Sequence, residues 1–177
     1  FVTEKDIAAL NRPLGEANGL PGRVFGPEFF ALEQRDLFPR IWCPVGFASD
    51  IPEPGDAVPV ALAGWPILLV RGKDRIIRGF LNICRHRAMS VVTEACKGRS
   101  TFTCPWHGWV YGLDGTVVGT PKIGGERANR DPNFSTDGLG LKPVRVGTWL
   151  DMLFVNIDGK APPFDAHMRP LDDLLAP

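Results

Sequence analysis

Two short segments of the chain each combine one cysteine with one histidine. The first is Cys84-Arg85-His86, and the second, after 17 intervening residues, is Cys104-Pro105-Trp106-His107. A thiolate is a soft anionic ligand and a neutral imidazole is a nitrogen ligand, so the two segments together offer sulfur and nitrogen to a metal centre. This donor set is typical of a [2Fe–2S] cluster that has two Cys on one iron and two His on the other.

The main alternative is a structural zinc site, because zinc accepts two Cys and two His in a tetrahedron. Zinc fingers usually place Cys with Cys and His with His, whereas each segment here is mixed, which favours the iron–sulfur interpretation. Buried thiols and histidines that bind no metal are a second alternative. Of the other two cysteines, Cys43 is predicted to pack as a small hydrophobe and Cys96 to be a surface thiol.

The spacing C-x-H-x17-C-x-x-H resembles the Rieske [2Fe–2S] motif, and the flanking residues resemble the large subunits of Rieske-type ring-hydroxylating oxygenases. The resemblance runs from Pro27 to Ile157. It is carried by Phe80-Leu81-Asn82-Ile83-Cys84-Arg85-His86-Arg87 and by Phe102-Thr103-Cys104-Pro105-Trp106-His107-Gly108-Trp109-Val110-Tyr111-Gly112-Leu113-Asp114-Gly115. One departure is Ala88, where the family usually has Gly, and we expect its Cβ to crowd the backbone of the first loop.

The resemblance implies a ligand set in which each His binds iron through one ring nitrogen and exposes the other at the surface, where the electron leaves. The implied metal ligands are Cys84, His86, Cys104 and His107, and the residues expected around the cofactor are Arg87, Trp106, Gly108 and Tyr111. Arg85 and Arg87 are expected to stabilise the reduced cluster or to dock an acidic electron donor, unless they are solvated surface charges. Trp106 and Trp109 are expected to shield the cluster from water.

High-potential Rieske proteins of respiratory complexes add a disulfide between the two loops and a serine hydroxyl beside the cluster. This chain has Met89 and Trp106 at the disulfide positions and Trp109 at the serine position. Fewer hydrogen bonds to the cluster sulfurs stabilise the reduced form less, although Tyr111 still offers one. We therefore predict a midpoint potential toward the low end of the Rieske range of about −150 to +300 mV.

The predicted fold class is mainly β: a Rieske-type domain of antiparallel sheets with two cluster-binding loops, preceded by an N-terminal helical arm. Short Val, Ile and Leu runs bounded by Gly, Pro and Asp predict the strands, Asp114-Gly115 predicts a hairpin, and Pro27 opens a helix predicted over 28–39. Residues 3–10 allow at most a turn of helix, and 120–140 form a surface excursion. The predicted strands are 42–47, 57–62, 66–71, 75–81, 101–103, 109–112, 142–149 and 152–157. The predicted divisions are an arm at 1–40, the Rieske domain at 41–157, and a linker toward an absent catalytic domain at 158–177.

The function implied by the resemblance is electron transfer within an oxygenase. Electrons would come from a ferredoxin or flavin reductase and pass to a mononuclear non-heme Fe(II), held by two His and one carboxylate in a catalytic domain of the same or a neighbouring subunit of a homotrimer. The chain has three His in all, so that iron is expected only in the absent domain, and His167 is interpreted as an exposed linker residue. The alternative is a free-standing low-potential Rieske ferredoxin.

The composition of the chain adds limits on its partners and location. Twenty basic residues balance twenty acidic residues across 177 positions, so neither nucleic acid nor an anionic membrane is an expected partner. No apolar run approaches the about 20 residues of a membrane helix. With two of four Cys assigned as ligands, no disulfide framework is evident, which predicts a cytoplasmic protein.

Overall fold

Two antiparallel sheets form the body of the protein, with a helical arm before them and one helix after them. The computed structural model describes residues 1–13, 15–17, 19–129 and 131–176. The strands are β1 (Cys43–Phe47), β2 (Ala57–Leu62), β3 (Trp65–Arg71), β4 (Ile77–Leu81), β5 (Thr101–Thr103), β6 (Val110–Gly112), β7 (Val117–Gly119), β8 (Pro143–Trp149) and β9 (Met152–Asn156). The larger sheet has the order β1-β9-β8-β4-β3-β2, and the smaller sheet has the order β5-β6-β7.

The mainly β, antiparallel fold class is confirmed. Each of the eight predicted strands has a counterpart whose ends differ by at most two residues. The hairpin predicted at Asp114-Gly115 joins β6 to β7, and its return strand is the one strand whose bounds were not predicted. Gly115 has a φ of 81°, and a Cβ there would lie 2.4 Å from the Phe80 ring, so the turn requires glycine.

The N-terminal arm contains two helices. Helix α1 (Glu4–Leu10) begins at a capping box in which Thr3 and Asp6 bond each other's backbone N–H, so it extends beyond the single turn that was predicted. A 3₁₀ turn (Gly22–Phe25) leads into helix α2 (Pro27–Leu32), which continues as a π-helical turn (Glu33–Leu37). Together these two segments occupy nearly all of the helix predicted over 28–39.

Strand β3 is the centre of the core because both of its faces are buried. Leu68 and Val70 on one face pack with Phe80 and with residues of the smaller sheet, including Tyr111. Ile67 and Leu69 on the other face pack with residues of β8 and β9. The smaller sheet is thereby fixed on the larger one, and the loop between β5 and β6 is held close to the end of β4.

The C-terminal residues are more ordered than the predicted linker. Helix α3 (Phe164–Leu175) occupies most of the stretch 158–177, for which the sequence predicted a linker and no helix. The Phe164 ring packs edge-on against Trp42 with centroids 4.9 Å apart, and Trp42 Nε1 donates to the carbonyl of Pro162 at 2.9 Å. His167 is exposed, as predicted, although it lies on this helix. The role of the segment as a connection to a further domain stays a prediction.

A membrane-spanning helix is not found in the described ranges. None of the helices there combines the length and apolar character that crossing a bilayer requires.

Candidate metal centre

The two Cys-His segments form loops with the same backbone hydrogen bonds. In the first loop (84–89), the N–H of Cys84 donates to the carbonyl of Met89 at 2.7 Å, and the N–H of Ala88 donates to the carbonyl of Cys84 at 2.9 Å. In the second loop (104–109), the corresponding bonds run from Cys104 to Trp109 at 2.7 Å and from Gly108 to Cys104 at 3.0 Å. The two loops are therefore local structural equivalents, each beginning at its cysteine.

The fifth residue of each loop adopts a left-handed backbone conformation. Gly108 has a φ of 72° and Ala88 a φ of 58°. A Cβ makes this conformation unfavourable by about 1–2 kcal/mol, which explains why glycine suits both positions. The departure at Ala88 thus places strain in the first loop without preventing the loop from forming.

The two cysteines lie at the buried end of the site. Cys84 and Cys104 are each 2% exposed. Burial raises the pKa of the Cys104 thiol, and the neighbouring Cys84 thiol adds to this effect, while the backbone N–H groups of Trp106 and His107 oppose it. By lowering the pKa, these two N–H groups favour the thiolate, which is the form that binds a metal.

The two histidines lie at the exposed end of the site. Their rings are 4.7 Å apart between centroids and are nearly perpendicular. The His86 ring stacks on Trp109, with centroids 5.1 Å apart and an angle of 5° between the planes. Desolvation, together with the nearby His107 and Arg87, lowers the pKa of His86. A lowered pKa favours the neutral imidazole, which is the form that binds metals.

Tyr111 connects the smaller sheet to the first loop. Its side chain is fully buried, and its hydroxyl oxygen accepts a hydrogen bond from the N–H of Arg85 at 2.9 Å. The same hydroxyl lies 3.3 Å from Cys84 Sγ. Burial, with Cys84 adding to it, raises the pKa of Tyr111, so the phenol keeps its proton. Once Cys84 is a thiolate, Tyr111 is the donor in this pair.

This arrangement fits a [2Fe–2S] cluster with mixed ligands. The two thiols belong to one buried core cluster, and the two imidazoles are in contact with each other at the surface. A sulfur pair and a nitrogen pair on opposite sides are what two irons of this kind require. Within the described ranges, no three His, Cys, Asp or Glu side chains are grouped around one common ion position.

The aromatic and basic residues expected around the cofactor occupy different environments. Trp109 is 5% exposed and belongs to the core. Trp106 is 55% exposed and lies against His107, with ring centroids 4.4 Å apart. It therefore lies at the surface beside the second histidine and not in the core, and its shielding of the cluster stays a prediction. Arg87 is exposed. Arg85 is partly buried, and its Nε is the one buried side-chain nitrogen or oxygen among the described residues that has no hydrogen-bond partner.

The other cysteines lie outside the paired loops. Cys43 is buried in β1, and desolvation raises the pKa of its thiol. Cys96 is partly buried, and its backbone pairs with Ala57 through two hydrogen bonds of 2.9 Å. The packing predicted for Cys43 is confirmed, and Cys96 is less exposed than a surface thiol.

Asn82 is the residue at this site to which the sequence assigned no role. It is 3% exposed and lies two positions before Cys84. Its side chain makes three hydrogen bonds to the backbone of Val91 and Val92, just beyond the first loop. The sequence feature that could have indicated this role is a polar residue directly after strand β4.

Comparisons with known proteins agree with this site. A family described as the Rieske [2Fe-2S] domain matches residues 41–131, just over half of the chain. The oxygenase subunit of glycine betaine monooxygenase from Chromohalobacter salexigens is 37% identical over 85% of this chain and 33% of its own length. The alpha subunit of biphenyl dioxygenase from Metapseudomonas furukawaii is 31% identical over 99% of this chain and 40% of its own length.

Solved structures lead to the same family. The crystal structure of naphthalene 1,2-dioxygenase from Rhodococcus sp. bound to indole superposes with a TM-score of 0.77 and 27% identity, over 97% of this chain and 40% of that chain. The chain thus spans about a third to two fifths of the length of the relatives it matches. The resemblance to oxygenase large subunits is confirmed, and the chain belongs to the Rieske [2Fe–2S] domain family.

Proposed function

We propose that this chain is the electron-transfer domain of a Rieske non-heme iron oxygenase. Its proposed ligands are Cys84, His86, Cys104 and His107. The observation that carries the proposal is the pairing of two buried thiols with two exposed imidazoles. When bound, the [2Fe–2S] cluster supplies a centre that takes up and releases one electron.

The surrounding residues hold the two ends of the site in different environments. The Tyr111 hydroxyl lies 3.3 Å from the Cys84 sulfur inside the core, and with Cys84 as a thiolate it would donate to that sulfur and stabilise added negative charge. Trp109 covers one face of the His86 ring and excludes water from it. The other edges of both imidazoles remain at the surface, so an electron crosses little protein on its way in or out.

The exposed edge is the proposed docking surface for the electron donor. Beside the two histidines it presents the charged Arg87 and two large apolar side chains, Met89 (40% exposed) and Trp106 (55% exposed). A positive, partly aromatic surface complements an acidic protein. We propose a ferredoxin or a flavin reductase as the donor and the cytoplasm as the location.

The proposed acceptor is a mononuclear non-heme Fe(II) in a catalytic domain, in the same or a neighbouring subunit of a homotrimer. The relatives support this proposal, since they are oxygenase subunits that are much longer than this chain. The reaction class is oxidation of an aromatic ring or of a quaternary ammonium compound. The full sequence of the natural polypeptide tests this part: an extension carrying two His and a carboxylate is expected, and a natural chain of only this length would favour a Rieske ferredoxin.

Charge reversal at the exposed edge tests the electron route. We expect Arg87→Glu to slow oxidation of the reduced domain by anionic ferricyanide about threefold or more at low ionic strength, and to speed its oxidation by cationic hexaammineruthenium(III). Arg169→Glu is the matched control, because Arg169 is an exposed arginine on α3, a helix that packs on Trp42 and Phe154. Equal rates in the two variants, measured by stopped-flow absorbance, would contradict electron transfer through the histidine edge.

A further inference from the structure

The two cluster loops differ in the contacts that join the residues before each loop to the residues after it. The second loop connects two strands that are paired up to its edge, with Thr103 opposite Val110 and Phe102 opposite Tyr111. The first loop has no such ladder. Strand β4 ends at Leu81, and the residues that follow the loop belong to no strand. The same loop geometry at 84–89 therefore needs a different support.

The side chain of Asn82 provides that support. Its Oδ1 accepts hydrogen bonds from the N–H groups of Val91 and Val92, both at 3.0 Å, and its Nδ2 donates to the carbonyl of Val92 at 2.6 Å. A carboxamide has the same donor and acceptor groups as a peptide unit. The Asn82 side chain thus takes the place of a paired strand residue at the base of the first loop.

Asn82 is itself bonded to the larger sheet, so it positions the first loop relative to that sheet. Its backbone N–H donates to the carbonyl of Pro66 in β3 at 2.9 Å. Val91 and Val92 are buried in the same core as Cys84 and Cys104. The backbone of Asn82 therefore bonds the larger sheet, and its side chain bonds the residues that follow the first loop.

We infer that Asn82 is a positioning residue for the cluster, which sets where Cys84 and His86 stand relative to the second loop. This inference rests on the proposed ligand set. Residues that orient metal ligands typically alter metal retention by about 10–100-fold when they are replaced. A residue that only stabilised the fold would change the free energy of unfolding without changing how the cluster is held.

The test compares Asn82→Ala and the isosteric Asn82→Asp with matched variants of a second buried asparagine. Asn82→Asp keeps the oxygen that accepts from Val91 and Val92 and loses the donating nitrogen. Asn156 is the control, because it is 0% exposed and its side chain bonds the backbone of Pro39, Ile41 and Ala161, none of which lies in a cluster loop. The readouts are the reduced-state paramagnetic resonance g values and the rate of iron capture by a chelator from the folded holo-protein.

We expect iron release from Asn82→Ala to be about 10-fold faster or more, with shifted g values. Asn82→Asp should also release iron faster than the wild type, because one of its carboxyl oxygens would face the Val92 carbonyl that the amide nitrogen bonds. Asn156→Ala and Asn156→Asp should unfold more easily while keeping the wild-type g values and release rate. If Asn82→Ala does not fold, the g values and iron-release rate of Asn82→Asp decide whether the inference holds. Release rates and g values equal to those of the Asn156 variants would overturn the inference. A wild-type chain without a [2Fe–2S] signal would instead overturn the proposed ligand set.

Discussion

The first and second cluster loops have matching internal hydrogen bonds, but they are supported in different ways. The second loop is the turn of a strand pair, and it has glycine at its left-handed position. The first loop is closed by one asparagine side chain, and it has an alanine at that position. The comparison shows that the same ligand geometry can be produced by a backbone ladder or by a single side chain, and that the second solution depends on fewer contacts.

The largest expected effect comes from removing one cysteine from either loop. We expect Cys84→Ser and Cys104→Ser both to abolish the normal [2Fe–2S] signal, because each supplies one of the two buried sulfur ligands. Absorbance and reduced-state paramagnetic resonance check this expectation. Cys96→Ser is the control, and a lost signal in that variant would show that the ligands are assigned wrongly.

The difference in support predicts unequal mobility once the cluster is removed. In the apo-protein we expect the amides of Cys84 and Ala88 to exchange hydrogen about 10-fold faster than those of Cys104 and Gly108, because the second loop keeps its flanking strand pair. Hydrogen exchange followed by mass spectrometry or NMR measures this ratio. Equal exchange in both loops would mean that the strand pair gives no additional support.

Exchanging the residues at the left-handed positions tests the backbone part of the comparison. Gly108→Ala should destabilise the holo-domain by about 1–2 kcal/mol, and its Cβ would also contact Pro121 at 3.4 Å. Ala88→Gly should stabilise it by about 0.5–1 kcal/mol, since the relief of strain exceeds the added flexibility of glycine. The two shifts in unfolding midpoint should have opposite signs, and shifts of the same sign would exclude strain at Ala88.

Tyr111 is expected to have the smallest effect, because it contributes one hydrogen bond. Tyr111→Phe removes the hydroxyl next to Cys84 Sγ and leaves the ring in place. Loss of about 1 kcal/mol of preferential stabilisation of the reduced state should lower the midpoint potential by about 40 mV for a one-electron couple. Cyclic voltammetry checks this value, and Phe102→Leu, in the same core cluster, is a control that keeps the hydroxyl. A wild-type midpoint above zero would contradict the prediction of a low-potential cluster.

The sequence predicted the strands well because they depend on local patterns, and the four candidate ligands, whose assignment stays a prediction, were also identified from a local pattern. Short apolar runs between Gly, Pro and Asp mark the strands, and the ligand spacing marks the loops. Helix α3 was not predicted, because Pro170 lies inside it and its packing on Trp42 is a long-range contact. The role of Asn82 was not predicted for the same reason, since its partners across the first loop are known only once the loop has folded.

The most direct test of the central claim is nitrogen electron–nuclear double resonance on the reduced protein. We expect two inequivalent strongly coupled nitrogens, one from His86 in the first loop and one from His107 in the second, with one coupling lost when either histidine is replaced by cysteine. A colourless protein that contains zinc, or a cluster without any strongly coupled nitrogen, would contradict it.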